Sequence, residues 1–155
     1  MSAVPFLIVV IVLIIAVIIV WDSSSSSEKE NKVAIHGYDP VAYFKQGKAV
    51  KGNQKINWDW NKVNWWFSKS RHRELFMQNP AAFAPQFGGN CAFSTSMGRE
   101  QEGLAKYWII MDGKLYLNAN PISHFLWKYM DNRDIKANKE WKRLNEEKAK
   151  RLLKP

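Results

Sequence analysis

One segment near the middle of the chain, Phe76 to Gly98, limits the possible folds more than any other stretch. It reads FMQNPAAFAPQFGGNCAFSTSMG, with two prolines, a Gly-Gly pair, four phenylalanines, the only cysteine of the sequence and no charged side chain. A solvated loop rarely has this composition, because phenylalanine and cysteine are usually buried. We therefore expect a buried crossing, rich in turns, with Cys91 near its centre.

The prolines of this segment predict where its helices begin and end. A helix should end just before Pro80 and a short one should begin there, because proline disfavours helix in the preceding residue but fits a first turn. Pro85 should end the short helix, and Asn90 should cap a turn that begins at Cys91. Two interpretations of Cys91 stay open: an activated thiol at a helix N-terminus, or a small buried hydrophobe.

The N-terminal segment is apolar enough to enter a membrane. Pro5 to Trp21 reads PFLIVVIVLIIAVIIVW, without a charged side chain. As a helix it would span about 26 Å, close to the ~30 Å core of a bilayer, with Trp21 at the interface. We predict a single-pass anchor over residues 1–21, which contacts the lipid bilayer through residues 5–21. The alternative is a cleaved signal peptide, which would need a basic residue before the run and an A-x-A site after it.

A polar linker should follow the anchor and lead into the domain. Residues 22–32 are rich in serine, and they include Lys29 and Lys32. These lysines, with no Lys or Arg before the apolar run, would by charge alone keep the domain in the cytoplasm. We assign a folded domain to residues 33–145 and a basic tail to residues 146–155.

Two β-hairpins are predicted from apolar and polar residues that alternate on both sides of a turn. The predicted strands are 56–60 and 63–67 around Asn61-Lys62, and 107–111 and 114–118 around Asp112-Gly113. Asn and Asp-Gly accept the positive φ of tight turns. The first hairpin carries four tryptophans, and we expect most of their rings on one face of a core. A stacking platform for bases or sugars is the alternative.

Short helices should fill the rest of the domain. Asp39 before Pro40 is a cap signal for a helix over 38–45, with Val41 and Phe44 inward. Ser68 or Ser70 should cap a second helix that reaches residue 78. A third helix should run from residue 121 to about 130, and a last one from about 134, with apolar positions 135, 141 and 144. The fold class is therefore α+β: a small single domain of two β-hairpins and several short helices, behind an N-terminal transmembrane helix.

The charge balance indicates an anionic partner. The chain has a net charge of +9 and a pI near 9.7. From Arg133 to the end, nine Lys/Arg face four Asp/Glu. A membrane anchor argues against nucleic acid, so we expect no nucleic-acid partner. Anionic lipid or an acidic protein surface fits this charge better.

Several motifs, taken in order, resemble the longer form of the YHS domain. They are GYDPVAYF, Phe76-x-x-Asn79-Pro80, APQFGGNCAFSTSMG, DGKLYLN and Ala137-x-x-x-Trp141, which together cover about Val33 to Leu144. The usual N-terminus of this family is an export signal. The resemblance therefore implies that the domain faces the periplasm or the exterior, against the lysine bias.

Shorter members of the YHS family carry cysteines that are thought to bind metal. Laid on this chain, the three family cysteines fall at Ala42, Ser68 and His72. Only His72 keeps good coordinating chemistry for a soft metal. The remaining metal-site candidates are Cys91, His72 and His36, with copper or another transition-metal ion as the cofactor the resemblance implies.

Three functions follow as hypotheses. The first is a membrane-tethered YHS-type binding or accessory domain that handles a transition metal and carries no catalytic signature. The second is a thiol-dependent enzyme or redox protein that uses Cys91, which needs a base within hydrogen-bond reach. The third is a structural domain that contacts anionic membrane through its basic C-terminal helix.

Overall fold

The computed structural model describes residues 32–153. The predicted anchor and almost all of the predicted linker lie outside these residues. Within residues 32–153, no helix has the length and apolar character needed to cross a membrane. The described part is α+β, with two separate two-stranded sheets and several helices, as the sequence predicted.

The elements follow one another along the chain in the order helix, hairpin, helices, hairpin, helices. The strands are β1 Asn53–Trp60, β2 Val63–Phe67, β3 Leu104–Met111 and β4 Lys114–Asn118. The helices are α1 Pro40–Gln46, α2 Ser70–Gln78, α3 Pro80–Phe83, α4 Ala92–Ser96, α5 Pro121–Tyr129 and α6 Arg133–Leu152. Two tight 3-10 turns, Ala34–Gly37 and Gln86–Gly89, complete the set.

Both predicted hairpins are present and antiparallel. β1 pairs with β2 so that Trp60 faces Val63, and β3 pairs with β4 so that Met111 faces Lys114. The turn residues have positive φ in both hairpins, 52° and 64° at positions 61 and 62 and 51° and 70° at positions 112 and 113. These values fit the tight turns that match strand twist.

Proline sets the beginning of three helices, as predicted. Asp39 caps α1, and Pro40 is its first residue. α2 ends at Gln78 and α3 begins at Pro80. α5 begins at Pro121 after a capping box made by Asn120 and Ser123. α6 continues through Leu152 without a break near residue 145.

Two predicted caps are wrong, and in both cases the side chain bonds elsewhere. α2 begins at Ser70, and the hydroxyl of Ser68 donates instead to Asp39. α4 begins at Ala92 rather than at Cys91, and the amide of Asn90 donates back to the carbonyl of Phe87.

The core consists of three apolar clusters. The first is built around Val41, Phe67 and Phe76, and its members all precede Pro85. The second contains Phe87 and Trp127, and its members all follow Pro85. The third joins helix α1 to strand β4 by packing Tyr43 against Leu115 and Leu117.

The tryptophans of the first hairpin divide between core and surface. Trp60 and Trp65 pack on Phe76, with ring centroids 5.8 and 4.9 Å away. Trp66 lies on the other side of the strand, against Gly37. Trp58 is 41% exposed. The core face is therefore formed by Trp60 and Trp65, two of the four rings rather than most of them.

Candidate functional site

A buried carboxylate, Asp39, collects polar groups from three elements. It is fully buried at the start of α1. Its Oδ1 accepts hydrogen bonds from the backbone amides of Val41 and Ala42, at 2.9 and 3.2 Å. An aspartate at this position satisfies amides that a helix start leaves without partners. One oxygen is therefore used entirely by the helix.

The second oxygen of Asp39 binds groups that come from β2 and α2. Ser68, just after β2, donates to Oδ2 through its backbone amide at 2.8 Å and its hydroxyl at 2.6 Å. Nδ1 of His72, in the first turns of α2, lies 2.6 Å from the same oxygen. Because an ionised carboxylate only accepts, we assign the proton of this bond to Nδ1 of His72. The contact is short, as expected for a charge-assisted hydrogen bond.

This arrangement favours a structural role for Asp39, Ser68 and His72. In a catalytic triad the hydroxyl and the carboxylate bind opposite nitrogens of the imidazole. Here the Ser68 hydroxyl and the His72 ring share one carboxylate oxygen, and Ser68 Oγ lies 3.5 Å from the same Nδ1. The cluster therefore fastens α1, the end of β2 and α2 to one another.

The three positions to which the resemblance assigns the family cysteines all contact this carboxylate. The backbone amide of Ala42, the hydroxyl of Ser68 and the ring of His72 all contact Asp39. Ala42 and Ser68 are far apart in sequence, and sequence reasoning did not identify Asp39 as the group between them. The signal was available: an Asp-Pro cap whose carboxylate has more acceptor sites than one helix start requires.

Cys91 lies at the centre of the buried crossing, as predicted. Its side chain is 0% exposed. Its backbone amide donates to the carbonyl of Gln101, and the residue forms a parallel bridge with Leu117 of β4. The sulfur lies 3.9 Å from Oδ1 of Asn118, which is also fully buried. These contacts match the interpretation of Cys91 as a small buried residue.

His36 lies on the surface in the first tight turn. Its Nε2 is 3.0 Å from a carboxylate oxygen of Glu102, and both side chains are largely exposed. Its φ of 53° places it in the left-handed region, next to Ile35 at 42°. His36, His72 and Cys91 thus contact different polar partners: Glu102, Asp39 and Asn118. Within residues 32–153, no group of three or more His, Cys, Asp or Glu side chains is arranged to hold a metal ion.

Burial changes the acid–base behaviour of one tyrosine near the Asp39 cluster. The hydroxyl of Tyr43 donates to the carbonyl of Ala105 at 3.1 Å. Burial raises the pKa of Tyr43 above its ordinary value, and the nearby charges of Tyr38 and Asp39 raise it further. The phenol therefore stays neutral and remains a donor across the physiological pH range.

A row of exposed apolar side chains on α5 was not recognised from the sequence. Ile122, Phe125, Leu126 and Tyr129 are 71, 61, 40 and 63% exposed. We call these four residues the α5 stripe. Sequence reasoning found the helix and its apolar residues, but not that only one face would be covered. The spacing i, i+3, i+4, i+7 marks a second apolar face, away from the buried Trp127.

A shallow surface pocket adjoins the α5 stripe. Its volume is about 390 Å³, and Ile122 belongs to both the pocket and the stripe. The other lining residues are mostly polar and include Arg99, Gln101 and Asn120. Ser94 closes one side by donating to Gln101 at 2.6 Å. The pocket therefore touches the stripe at Ile122 alone.

Known proteins offer no relative whose site could be compared with this one. No protein-family model, no curated protein and no solved structure matches the chain.

Proposed function

We propose that this chain is a membrane-tethered accessory domain of the YHS type, which acts by binding a macromolecular surface rather than by chemistry. The observation that carries the proposal is the α5 stripe. Four apolar side chains at more than a third exposure lie side by side on one helix. Contiguous exposed apolar residues commonly mark an interaction site, whereas single ones do not.

The arrangement around Asp39 supports the YHS part of the proposal. The resemblance places the three family cysteines at Ala42, Ser68 and His72. A family that binds metal through these positions must bring them to one point in the fold. In this chain all three contact a single carboxylate. This proximity supports the resemblance, although Ala42 takes part only through its backbone amide, and Asp39 uses all three contacts as hydrogen bonds.

The tether rests on the sequence of residues 5–21. An apolar run of this length inserts into bilayers, and residues 22–32 would then connect it to the folded part. We place the folded part on the periplasmic or extracellular side, as the export signal of the YHS family implies. Anionic lipid or a protein with an acidic surface would complement the net charge of +9.

Metal handling stays a prediction that no contact in residues 32–153 favours. Its test is titration of the folded chain with Cu(I), compared with a Cys91→Ser, His72→Ala double variant. Tighter binding by the parent chain would support a metal role. Equal binding would remove it. Use of Cys91 as a nucleophile also stays a prediction, and it would require the thiol to become accessible from its fully buried position.

The membrane tether is tested by extraction from the membranes of expressing cells. We expect the full chain to stay in the pellet after carbonate treatment, with an intact mass that includes residues 1–21. A matched variant in which residues 5–21 are replaced by a polar sequence should be released. Release of the uncut full chain would overturn the tethered function. So would a measured mass that corresponds to a chain cleaved after Trp21.

A further inference from the structure

Helix α5 has two apolar faces, and the fold uses only one of them. Ser123 and Trp127 face the core, and Trp127 packs on Phe87 and Tyr116. The α5 stripe lies on the other side of the helix, at positions 122, 125, 126 and 129. An amphipathic helix normally keeps charged residues on its outer face. The outer face of α5 is therefore built for contact with something apolar.

The α5 stripe contains two aromatic rings. Phe125 and Tyr129 contact each other, with ring centroids 4.8 Å apart. Ile135, in the first turns of α6, is a further exposed apolar residue just beyond the end of α5. A ring with an apolar body and a polar tip, such as that of Tyr129, is typical of the interface between lipid and water.

Basic groups outnumber the two exposed acidic ones, Asp131 and Asp134, at the C-terminal end of the stripe. The ammonium group of Lys128 lies 5.4 Å from the centre of the Tyr129 ring. Arg133 donates to the carbonyls of Lys128 and Met130, so it closes the end of α5. Lys136 follows one turn later and is exposed. Apolar side chains bordered by cations are what an anionic lipid surface binds.

We propose that the α5 stripe docks on the anionic surface of the bilayer in which this chain is anchored. The inference rests on the proposed function, because it takes the tether as given. Lipid is the occupant that the size of the stripe favours. A stable protein–protein interface usually needs about 20–30 residues on each side. Four side chains on a nine-residue helix supply far less.

A contact this small gains strength from the tether. An anchored domain meets its own membrane at a high effective concentration, so a weak contact is populated without further affinity. Insertion of Phe125 and Tyr129 into the head-group region would bury apolar area, while Lys128 would stay near the lipid phosphates. The net charge of +9 on the whole chain adds attraction to the same surface.

The experiment places an environment-sensitive dye on the stripe of the full-length chain. Cys91 is fully buried, so a cysteine introduced at Phe125 should be labelled selectively in the folded protein. The matched control is Lys62→Cys, at the exposed turn of the first hairpin, because α5 packs on the second hairpin. Parent chain treated with the dye gives the background from Cys91.

Both labelled chains are reconstituted in phosphatidylcholine vesicles with about 30% phosphatidylglycerol and a head-group spin-labelled lipid. We expect quenching of the dye at position 125 by about twofold or more, and little quenching at position 62. Quenching at 125 should decrease when phosphatidylglycerol is left out. An Ile122→Cys label should behave like the label at 125, which guards against a local effect of one substitution.

Two outcomes would overturn the docking, and neither involves the tether. One is that the chain floats with the vesicles, and is therefore anchored, while the labels at 125 and 62 are quenched equally. The other is a dye signal at 125 that ignores the quencher lipid but rises with protein density in the vesicles, since the stripe would then bind a second copy. Failure of the chain to float with vesicles would instead overturn the proposed function, and the docking with it.

Discussion

Asp39 carries an unusual number of interactions for one side chain. It accepts five contacts, from Val41, Ala42, Ser68 twice and His72, and it is fully buried. An Asp39→Ala substitution would remove the carboxylate that accepts from all of these donors. We expect a loss of about 3–5 kcal/mol in the free energy of unfolding, because several buried donors lose their acceptor at once. Urea denaturation followed by tryptophan fluorescence measures it.

The control for this prediction is Asp59→Ala on strand β1. Asp59 is exposed and accepts one bond from the amide of Asn64, at 2.7 Å. Its removal should cost no more than about 0.5 kcal/mol. If the two variants lost similar stability, the central role assigned to Asp39 would be wrong.

Tyr43 makes the stability of the protein depend on alkaline pH. Burial raises the pKa of Tyr43, so the folded state holds the phenol neutral where an unfolded chain would ionise it. Its contribution is complete below the ordinary tyrosine pKa of about 10, and it is lost as the pH rises above that value. We expect the free energy of unfolding to fall above that pH. Tyrosinate absorbance and urea denaturation, measured together, follow the change.

A Tyr43→Phe variant separates this effect from general alkaline unfolding. It should lose about 1 kcal/mol at neutral pH, because the hydrogen bond to Ala105 disappears. Its free energy of unfolding should then fall less steeply with pH above about 10 than that of the parent chain. The two slopes should differ by at most the equivalent of one bound proton. A decline identical to that of the parent chain would assign the effect to other groups, such as Tyr116, whose pKa is also raised by burial.

At the scale of elements, the first hairpin is held close to the N-terminal turn by glycines. A Cβ at Gly52 would lie 2.6 Å from a backbone carbon of Trp66, and the amide of Gly52 donates to the carbonyl of Gly37. Gly52→Ala should therefore cost about 2–3 kcal/mol, because backbone rather than a flexible side chain must move. Thermal or urea unfolding gives the difference.

Gly47→Ala is the matched control for this close approach. Gly47 ends α1 with a φ of 62°, and nothing lies within 4 Å of the position of its Cβ. The substitution should cost only the conformational strain, about 1 kcal/mol. Equal costs at positions 52 and 47 would mean that β2 can move away from Gly52 freely.

Elements were predictable from sequence wherever the decisive interaction is local. The Asp39-Pro40 start, the break between α2 and Pro80 and the turn at Asp112-Gly113 all depend on residues adjacent in the chain. Caps failed where a distant group competed. The hydroxyl of Ser68 donates a hydrogen bond to Asp39, 29 residues away, instead of capping α2. No local pattern contains that preference.

For the candidate site, the sequence predicted some of the residues but not the groups that they contact. His72 and Cys91 were selected for their chemistry, and Cys91 was expected to be buried, as it is. Their partners, Asp39 and Asn118, come from elements far along the chain and could not be assigned from spacing. The α5 stripe was missed because an apolar period predicts a helix face but not whether a neighbour covers it.

For the whole molecule, the resemblance to YHS domains makes a testable claim about the fold. If Ala42, Ser68 and His72 occupy the family's ligand positions, an Ala42→Cys, Ser68→Cys, His72→Cys variant should gain a metal site beside Asp39. We expect binding of one Zn²⁺ per chain by calorimetry, and thiolate charge-transfer bands with Co²⁺, because thiolates bind these ions well.

The controls for the gained site are the parent chain and His72→Cys alone, both of which should bind more weakly. Ala42 is fully buried, so a Ser68→Cys, His72→Cys variant is the fallback that leaves Ala42 in place. A folded triple variant, judged by circular dichroism, that binds no more Zn²⁺ than the parent would contradict the alignment of these three positions with the family.

The division of the core at Pro85 bears on how the chain is made. Every member of the first apolar cluster precedes Pro85, and every member of the second follows it. Translation delivers residues in that order, and early parts of a protein can fold during synthesis. The first apolar cluster can therefore form on the ribosome while strand β4 is still being synthesised. The third cluster, in which Tyr43 packs on Leu115 and Leu117, would then form last.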